Sequence, residues 1–278
     1  MTKVGFIGLG SQGGPMAQQI VGGGFPLTLW ARRPETLEPY EDTDASVAST
    51  PAELGAASDV VGVCVTGDAD VEDVLWRADG VLQGMSAGGV VVLHSTIHPD
   101  TCVRVAEQAA RRGIGVIDAP VSGGGGAALR RKLLVMVGGE PEHLALCRPV
   151  FDTFADPVIH LGPLGAGQKA KLVNNLIFTA LVTVGLETFA FADELGMDRN
   201  ALAQVLSHGS GGSQAAAILA RSGFDTTGLR QAVKNLDKDV RIVLDVARGM
   251  QASEPAHIVE LATGTLATLG GDGAVPAS

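Results

Sequence analysis

The stretch GAGQKAKLVNNLIFTALVTVGLETFAFADE, residues 165–194, separates two unlike parts of the chain. It opens with glycines and then predicts a single long helix from Gln168, about 40 Å long at about 1.5 Å per residue. Because its apolar side chains lie nearly all the way round, we expect this helix to be buried on several sides. A domain boundary is therefore expected just before it, near residues 162–166.

Three polar residues stand near the start of this predicted helix: Lys171, Asn174 and Asn175. Their spacing of i, i+3 and i+4 places them on one helical face. A lysine at the start of a buried helix is unfavourable without partners, and such lysines are often used in chemistry. A lysine that extends its amine to solvent past an interface fits the helix equally well. The helix alone therefore does not distinguish a reactive lysine from an interface lysine.

Composition narrows the functional classes. The formal charge of −10 and the pI near 5.0 argue against general binding to nucleic acid or to anionic membranes. The three cysteines are widely spaced without a CxxC pair, which indicates neither a disulfide framework nor a zinc site. No charged-then-apolar leader and no 18-residue apolar run is evident. We therefore expect a cytoplasmic protein.

Short apolar runs alternate with helical patterns before the long helix, and strand signals stop after Gly162. This alternation predicts a parallel, doubly wound sheet. Beyond the long helix we expect a shorter helix capped by Asp198, a glycine-serine loop and two further helices. The predicted strands cover residues 3–7, 27–30, 60–65, 90–93, 116–118, 133–137 and 158–161; the loop covers 209–213 and the last helices lie around 229–248 and 254–269.

A glycine motif, Gly8-Leu9-Gly10-Ser11-Gln12-Gly13, follows the first predicted strand and opens a helix. In this context GxGxxG predicts a dinucleotide site, since its glycines allow backbone amides to approach a pyrophosphate at a helix N-terminus. A glycine turn that binds no nucleotide is the alternative. At the same sheet edge we expect cofactor contacts from Val65 at the end of the third predicted strand, from Thr66 directly after it, and from Thr96 after the fourth.

Two arginines, Arg32 and Arg33, follow the second predicted strand, where an acidic residue would accept the ribose 2′-hydroxyl of NAD. A planar guanidinium suits a phosphate, so this pair favours NADP, with NAD as the alternative cofactor. A solvated basic loop would look the same in sequence.

A second motif, DAPVSGGGG at residues 118–126, leaves the fifth predicted strand as an expected loop at the carboxyl edge of the sheet. The hydroxyl of Ser122 and the amides of Gly123 and Gly124 can hold a small carboxylate, and we call these three residues the cradle. A flexible turn without a ligand is equally compatible with the glycines. Ser95 and Thr96 point to the same edge, near the expected nicotinamide.

Four blocks together resemble the β-hydroxyacid dehydrogenase family: GLGSQGGPMA at the start, DAPVSGG, GAGQKAKLVNN, and KD within NLDKDVRIV. The resemblance implies an α/β Rossmann-type domain over residues 1–163, an all-α domain over 164–278 begun by the long interdomain helix, and an active site in the cleft between them. It further implies that Lys171 is the catalytic acid/base, that the cradle and Asn175 bind the substrate, and that Lys238 lies near the cofactor.

The chemistry of Lys171 fits that assignment. Reducing a carbonyl by hydride transfer requires a proton for the developing alkoxide, and a cation beside the oxygen stabilises the charge as it forms. Asn174 or Asn175, one helical turn on, adds an uncharged hydrogen-bonding group without neutralising the lysine. The expected function is NAD(P)-dependent interconversion of a small β-hydroxyacid and its semialdehyde.

Departures from the family pattern leave the substrate open. Arg131 and Lys132 replace a usual glycine-threonine pair, and Gln231 stands where an aromatic residue is frequent. If the basic pair reaches the site, the substrate could carry extra negative charge; otherwise it is a solvated turn. For Lys238 and its neighbour Asp239, a surface ion pair is the plain alternative.

Alternative functions are an imine reductase, which normally lacks the lysine; a 6-phosphogluconate dehydrogenase, which has histidine in place of Asn174; and a dinucleotide-binding module without turnover. His94 and His98 are four residues apart, but the strand-to-loop context and Pro99 argue against a helical metal pair. Apolar faces of the helical domain suggest a homodimer or homotetramer.

Overall fold

The computed structural model describes residues 1–270, and its contacts divide the chain into two compact units, Met1–Lys171 and Leu172–Ser278. The first unit is α/β and the second is helical, as predicted. The long predicted helix begins in the first unit and continues into the second.

A six-stranded parallel sheet forms the centre of the first unit, in the order β3-β2-β1-β4-β5-β6. The order reverses direction between β1 and β4, which is the switch point where ligands of such sheets bind. The predicted doubly wound topology is thus confirmed. The strands are β1 Val4–Ile7, β2 Leu27–Trp30, β3 Ser46–Val47, β4 Val60–Val63, β5 Val90–Leu93 and β6 Gly115–Asp118.

Helices cover both faces of this sheet because the strands are apolar on both sides. Successive residues of one strand enter different cores: Val90 and Val92 belong to one buried cluster, whereas Val91 and Leu93 belong to the other. This follows the two-residue period of a strand. The helices of this part are α1 Gly13–Gly22, α2 Pro51–Ala56, α3 Asp68–Trp76, α4 Val81–Gly84 and α5 Pro99–Ala110.

The last part of the first unit forms a second sheet, which the sequence pattern did not predict. We expected all seven strands in one sheet and a loop over 118–126; both expectations are wrong. A three-stranded sheet in the order β7-β8-β9 contains one antiparallel pair, β7 with β8. The elements are β7 Val121–Ser122, α6 Gly124–Leu129, β8 Leu133–Val137, α7 Pro141–Phe151 and β9 Ala155–His160. Two-residue strands such as β7 and β3 are too short to show a period.

The second unit consists of helices around two buried apolar clusters. Asp198 caps its helix as predicted, because its carboxylate accepts hydrogen bonds from the amides of Asn200 and Ala201. A further helix was missed because its cap, Ser213, lies at the end of the predicted glycine-serine loop. The helices are α8 Ala166–Glu194, α9 Arg199–His208, α10 Gln214–Arg221, α11 Thr227–Gly249 and α12 Ala256–Gly270.

Helix α8 is less buried than its composition suggests. Leu172, Leu176 and Val182 are buried, whereas Ile177 and Phe191 are exposed, so the expectation of burial on several sides is wrong for this chain. An 18-residue window of α8 has a mean hydropathy of 1.6, which would suit a membrane span by length and composition, contrary to the expectation that the sequence holds no such run. One such helix is weak evidence for a membrane, since the core helix of a soluble protein has the same properties.

His94 follows β5 and is a buried core residue. Its Nδ1 lies 2.8 Å from the carbonyl oxygen of Ala119, and its ring packs against Phe6, Phe151 and Phe154. Burial lowers the pKa of His94 to about 4, while the hydrogen bond to Ala119 acts in the opposite direction. The imidazole is therefore neutral near pH 7, with Nδ1–H as the donor.

We predict that the stability of the first unit falls between about pH 6.5 and pH 4, because the unfolded chain takes up a proton on His94 that the folded chain excludes. With a folded pKa of about 4, the loss is about 3 kcal/mol in all. His94→Phe should be less stable near pH 7, where the carbonyl of Ala119 loses its donor, but should show a shallower decline. Urea unfolding at pH 7.5, 5.5 and 4.5 measures both slopes, and equal slopes would contradict the role of His94.

Candidate functional site

The glycines of the first motif have three different physical roles. Gly8 has a φ of 96°, and a Cβ there would lie 2.1 Å from the carbonyl oxygen of Cys64. A Cβ on Gly13 would lie 2.0 Å from the oxygen of Gly8, so this glycine allows α1 to pack closely on β1. A Cβ on Gly10 would meet nothing within 4 Å. The turn at Gly8 is thus tight, α1 packs closely on β1 at Gly13, and the space beside Gly10 is open. A pyrophosphate site requires these three features.

The other motif residues lie around the start of α1. Leu9 is buried in the core, whereas Ser11 is exposed and Gln12 half-buried. The side-chain nitrogen of Gln12 lies 3.7 Å from the sulfur of Met16. The first turn of α1 contains no acidic residue, so its N-terminal amides face no negative side chain from their own helix. This end of the helix fits an anion.

Arg32 and Arg33 lie just beyond β2, beside acidic residues. The Nη2 of Arg32 is 3.1 Å from a carboxylate oxygen of Asp70 and 3.4 Å from one of Asp73. The Nε of Arg33 is 3.9 Å from a carboxylate oxygen of Glu35. Both arginine side chains are mostly exposed. Their positive charge is available at this edge, but the acids partly balance it.

Backbone and side chain connect the ends of β4 and β5. The amide of Val65 donates to the hydroxyl oxygen of Ser95 at 2.8 Å. Thr66 follows on the surface, and Thr96 is half-buried directly after Ser95. The expected cofactor-contacting residues Val65, Thr66 and Thr96 thus lie on two adjacent loops at the carboxyl edge of the sheet.

The cradle lies against the dinucleotide motif. Gly123 and Gly124 have φ values of 126° and 72°, which a side chain would disfavour. A Cβ on the next residue, Gly125, would lie 2.4 Å from the backbone oxygen of Ser11. Ser122 is half-buried at the end of β7. The structure therefore brings the two predicted motifs together within the first unit.

Asp118, the first residue of the second motif, has a structural role that the sequence did not reveal. It is fully buried, and its two oxygens accept from the amides of Gly165 at 2.6 Å and Gln168 at 2.7 Å. Burial raises the pKa of Asp118, and these backbone hydrogen bonds act in the opposite direction. The carboxylate holds the start of α8 at the end of β6. The sequence did offer one signal for this role, since Asp118 is an acidic residue at the end of an apolar strand.

Gln168 was also missed as a framework residue. It is fully buried, and its side-chain oxygen accepts from the amide of Ile97 at 3.1 Å. Its side-chain nitrogen donates to the carbonyl of Ser95 at 2.8 Å. These two bonds flank Thr96, so the first turn of α8 is joined to the loop after β5.

In the second unit, Asp239 joins two of the predicted residues. The side-chain Nδ2 of Asn175 donates to a carboxylate oxygen of Asp239 at 2.6 Å. The Nζ of Lys238 lies 3.3 Å from the other oxygen. Asp239 is only 4% exposed, so the alternative of a surface ion pair is wrong for it. Lys171 is half-buried on α8, one helical turn before Asn175.

The residues that depart from the family pattern make surface contacts. The Nε of Arg131 lies 3.2 Å from the side-chain oxygen of Gln19, and the exposed Lys132 pairs with Asp156. Gln231 is exposed on α11. These contacts favour the solvated turn over a charged substrate pocket.

Nothing in residues 1–270 groups three or more potential metal ligands. The Nδ1 of His98 accepts from the amide of Asp100 at 3.1 Å and caps α5. His94 and His98 therefore have separate structural positions, one in the core and one at a helix start.

Both parts of the chain match known protein families. Residues 3–162 match the family described as "NAD binding domain of 6-phosphogluconate dehydrogenase". Residues 165–274 match the family described as "NAD-binding of NADP-dependent 3-hydroxyisobutyrate dehydrogenase". The two matches follow each other along the chain.

Individual relatives are similar over nearly the whole length. The 3-hydroxyisobutyrate dehydrogenase of Pseudomonas aeruginosa is 32% identical over 266 residues, which cover 92% of this chain and 88% of the relative. The solved structure of Mycobacterium tuberculosis 3-hydroxyisobutyrate dehydrogenase with L-serine matches with a TM-score of 0.82 at 26% identity, covering 97% of this chain and 98% of that one. A protein named Psf3, solved with NADP+ and 2-OPP, matches with a TM-score of 0.84 at 29% identity, covering 95% and 93%.

We predict that Asp118→Ala lowers the free energy of unfolding by about 2–4 kcal/mol, because the buried amides of Gly165 and Gln168 lose their acceptor. Asp118→Asn should also destabilise, since an amide nitrogen would face one of these donors. Urea unfolding at pH 7 measures both effects. Asp156→Ala, which removes an exposed carboxylate, is the control and should leave the midpoint nearly unchanged. An unaltered midpoint in Asp118→Ala would refute the capping role.

Proposed function

The chain belongs to the β-hydroxyacid dehydrogenase family, and from that premise we propose that it transfers a hydride between NADP and a small β-hydroxyacid or its semialdehyde, with Lys171 as the acid/base. As a member it is an NAD(P)-dependent hydroxyacid dehydrogenase. The observation that carries the finer proposal is the first part of α8, where the half-buried Lys171 precedes the buried Asn175 by one turn.

Lys171 moves the proton in this proposal. The bound nicotinamide supplies or accepts the hydride. In reduction, the ammonium group of Lys171 donates a proton to the carbonyl oxygen as negative charge develops there. In oxidation, its neutral amine takes the hydroxyl proton. This lysine also argues against the imine reductase alternative.

The remaining polar residues bind and orient the substrate. Asp239 accepts from the side-chain Nδ2 of Asn175 at 2.6 Å, so that nitrogen faces the carboxylate. The second hydrogen on Nδ2 is then directed elsewhere, and we assign it to a substrate oxygen. The hydroxyl of Ser122 and the amides of Gly123 and Gly124 bind the substrate carboxylate. Lys238 contacts the cofactor.

The dinucleotide motif, residues 8–13, holds the pyrophosphate, and Val65, Thr66 and Thr96 contact the cofactor farther along the edge. Arg32 and Arg33 bind the 2′-phosphate of NADP. The structural relative Psf3 was solved with NADP+, which supports this choice. Because Asp70 and Asp73 lie beside Arg32, we expect a moderate rather than strict preference for NADP over NAD.

We also propose that the chain forms a homodimer or homotetramer and acts in the cytoplasm. An apolar row on α8 is exposed in the single chain and would be covered by another copy; it includes Val173, Ile177, Val184 and Phe191. The three cysteines are free, which supports a reducing compartment.

We predict that Lys171→Ala lowers turnover by about 10²- to 10⁴-fold, because the alkoxide loses its proton donor. Turnover is measured in a screen of small β-hydroxyacids and semialdehydes, including 3-hydroxyisobutyrate and L-serine, with NADPH or NADH and the oxidised forms. The dissociation constant of the cofactor should change little. Lys169→Ala removes an exposed lysine from the same helix and is the matched control. Near-normal turnover in Lys171→Ala, or no turnover of any substrate by the native enzyme, would contradict the proposed function.

We predict that the double change Arg32→Ala and Arg33→Ala weakens NADPH binding about 10- to 100-fold more than NADH binding, since only NADPH carries the 2′-phosphate. Asp70→Asn combined with Asp73→Asn should shift selectivity the opposite way, because Arg32 loses its competing partners. Cofactor fluorescence titrations give all dissociation constants without a substrate. Equal weakening of NADPH and NADH by the arginine changes would count against the phosphate site.

A further inference from the structure

Gln168 joins two loops at the cofactor edge to α8. Its side chain pairs with the carbonyl of Ser95 and the amide of Ile97, as a neighbouring strand would. Ser95 in turn accepts from the amide of Val65 through its hydroxyl. A single fully buried side chain therefore fixes the backbone on both sides of Thr96 and, through Ser95, the loop after β4.

The backbone of Gln168 is fixed as well. Its amide donates to Asp118 at 2.7 Å, so the residue is held from β6 through its main chain and from the loop after β5 through its side chain. Lys171 follows three residues later on the same helix, about 4.5 Å along the axis. Gln168 consequently sets where the helix that carries Lys171 stands relative to Thr96.

We propose that Gln168 is a positioning residue for hydride transfer, which holds the proton-donating Lys171 in register with the loop that contacts the nicotinamide. The inference rests on the proposed function, in which Lys171 is the acid/base. Aligned transfer tolerates little displacement: a shift of about 1 Å can lower a rate by about 100-fold. A side chain that makes two buried bonds to one loop provides that rigidity.

Replacing Gln168 should therefore lower turnover by a larger factor than it weakens cofactor binding. In Gln168→Leu both bonds are lost, and we expect turnover to fall about 10- to 100-fold. The dissociation constant of NADPH should rise by a smaller factor, about threefold or less, because residues 8–13, which hold the pyrophosphate in the proposed function, are unaltered even though the loops that carry Val65 and Thr96 lose this support. Gln168→Met, which is close to glutamine in length and volume, loses the same two bonds with little change in packing, so a similar loss of turnover is expected. It serves as the second variant if Gln168→Leu fails to fold.

A double-mutant cycle separates positioning from general destabilisation. In a Lys171→Ala background, Gln168→Leu should lower turnover by less than about threefold, because no proton donor is left to misplace. Thr153→Ala removes a buried hydrogen bond to the carbonyl of Val150 elsewhere in the first unit and controls for lost stability. It should lower the melting temperature while turnover at 25 °C is retained.

The outcomes distinguish the two proposals. Normal turnover in folded Gln168→Leu, or losses that multiply in the double variant, would overturn the positioning role while Lys171 keeps its own. Normal turnover in Lys171→Ala would overturn the proposed function instead.

Discussion

The buried carboxylate of Asp118 is the interaction on which the rest of the arrangement depends. It closes β6 and accepts from the backbone amide of Gly165, just before α8, and from that of Gln168 in the first turn of the helix. Amides of a first turn have no acceptor within their own helix. A negative group at this end is also favoured by the helix dipole. The neighbouring backbone must come close to it: a Cβ on Gly138 would lie 2.4 Å from one oxygen of Asp118, and one on Gly167 would lie 2.8 Å from the other. These positions therefore have no room for a side chain.

Because the start of α8 is fixed in this way, residue spacing along the helix decides where its polar groups stand. Gln168 faces the loop after β5, Lys171 follows within one turn, and Asn175 reaches Asp239 in the second unit. Farther along, Val182 and Phe189 join an apolar cluster with Leu219. One continuous helix thus contributes a structural anchor, polar side chains and a core face, in that order along its length.

Local signals predicted much of this fold. The apolar runs gave the strands, and the glycine spacing gave the turn in which Gly8, Gly10 and Gly13 have distinct steric roles. The second sheet could not be predicted in the same way, because β7 is only two residues long and its pairing with β8 bridges the intervening helix α6. The roles of Asp118 and Asp239 were hidden for a related reason: each depends on partners roughly 50 or more residues away. Sequence spacing predicts which residues share one face of a helix. It does not predict which residues from distant parts of the chain come into contact in the folded protein.

An acidic chain that binds anionic ligands has to attract them through particular groups in the binding site, because its net charge repels them. With a net charge of −10, the chain gains no general attraction for a dinucleotide or a carboxylate. Main-chain amides at the start of α1 and in the cradle can bind anions without desolvating a cationic side chain, and the open position at Gly10 gives access to them. Two of the cations that we propose as ligand-binding residues have acids beside them: Asp70 lies beside Arg32, and Asp239 lies beside Lys238. Such pairing lowers the affinity of these proposed positions for phosphate in general, so we expect recognition to depend on the geometry of several weak donors rather than on net charge.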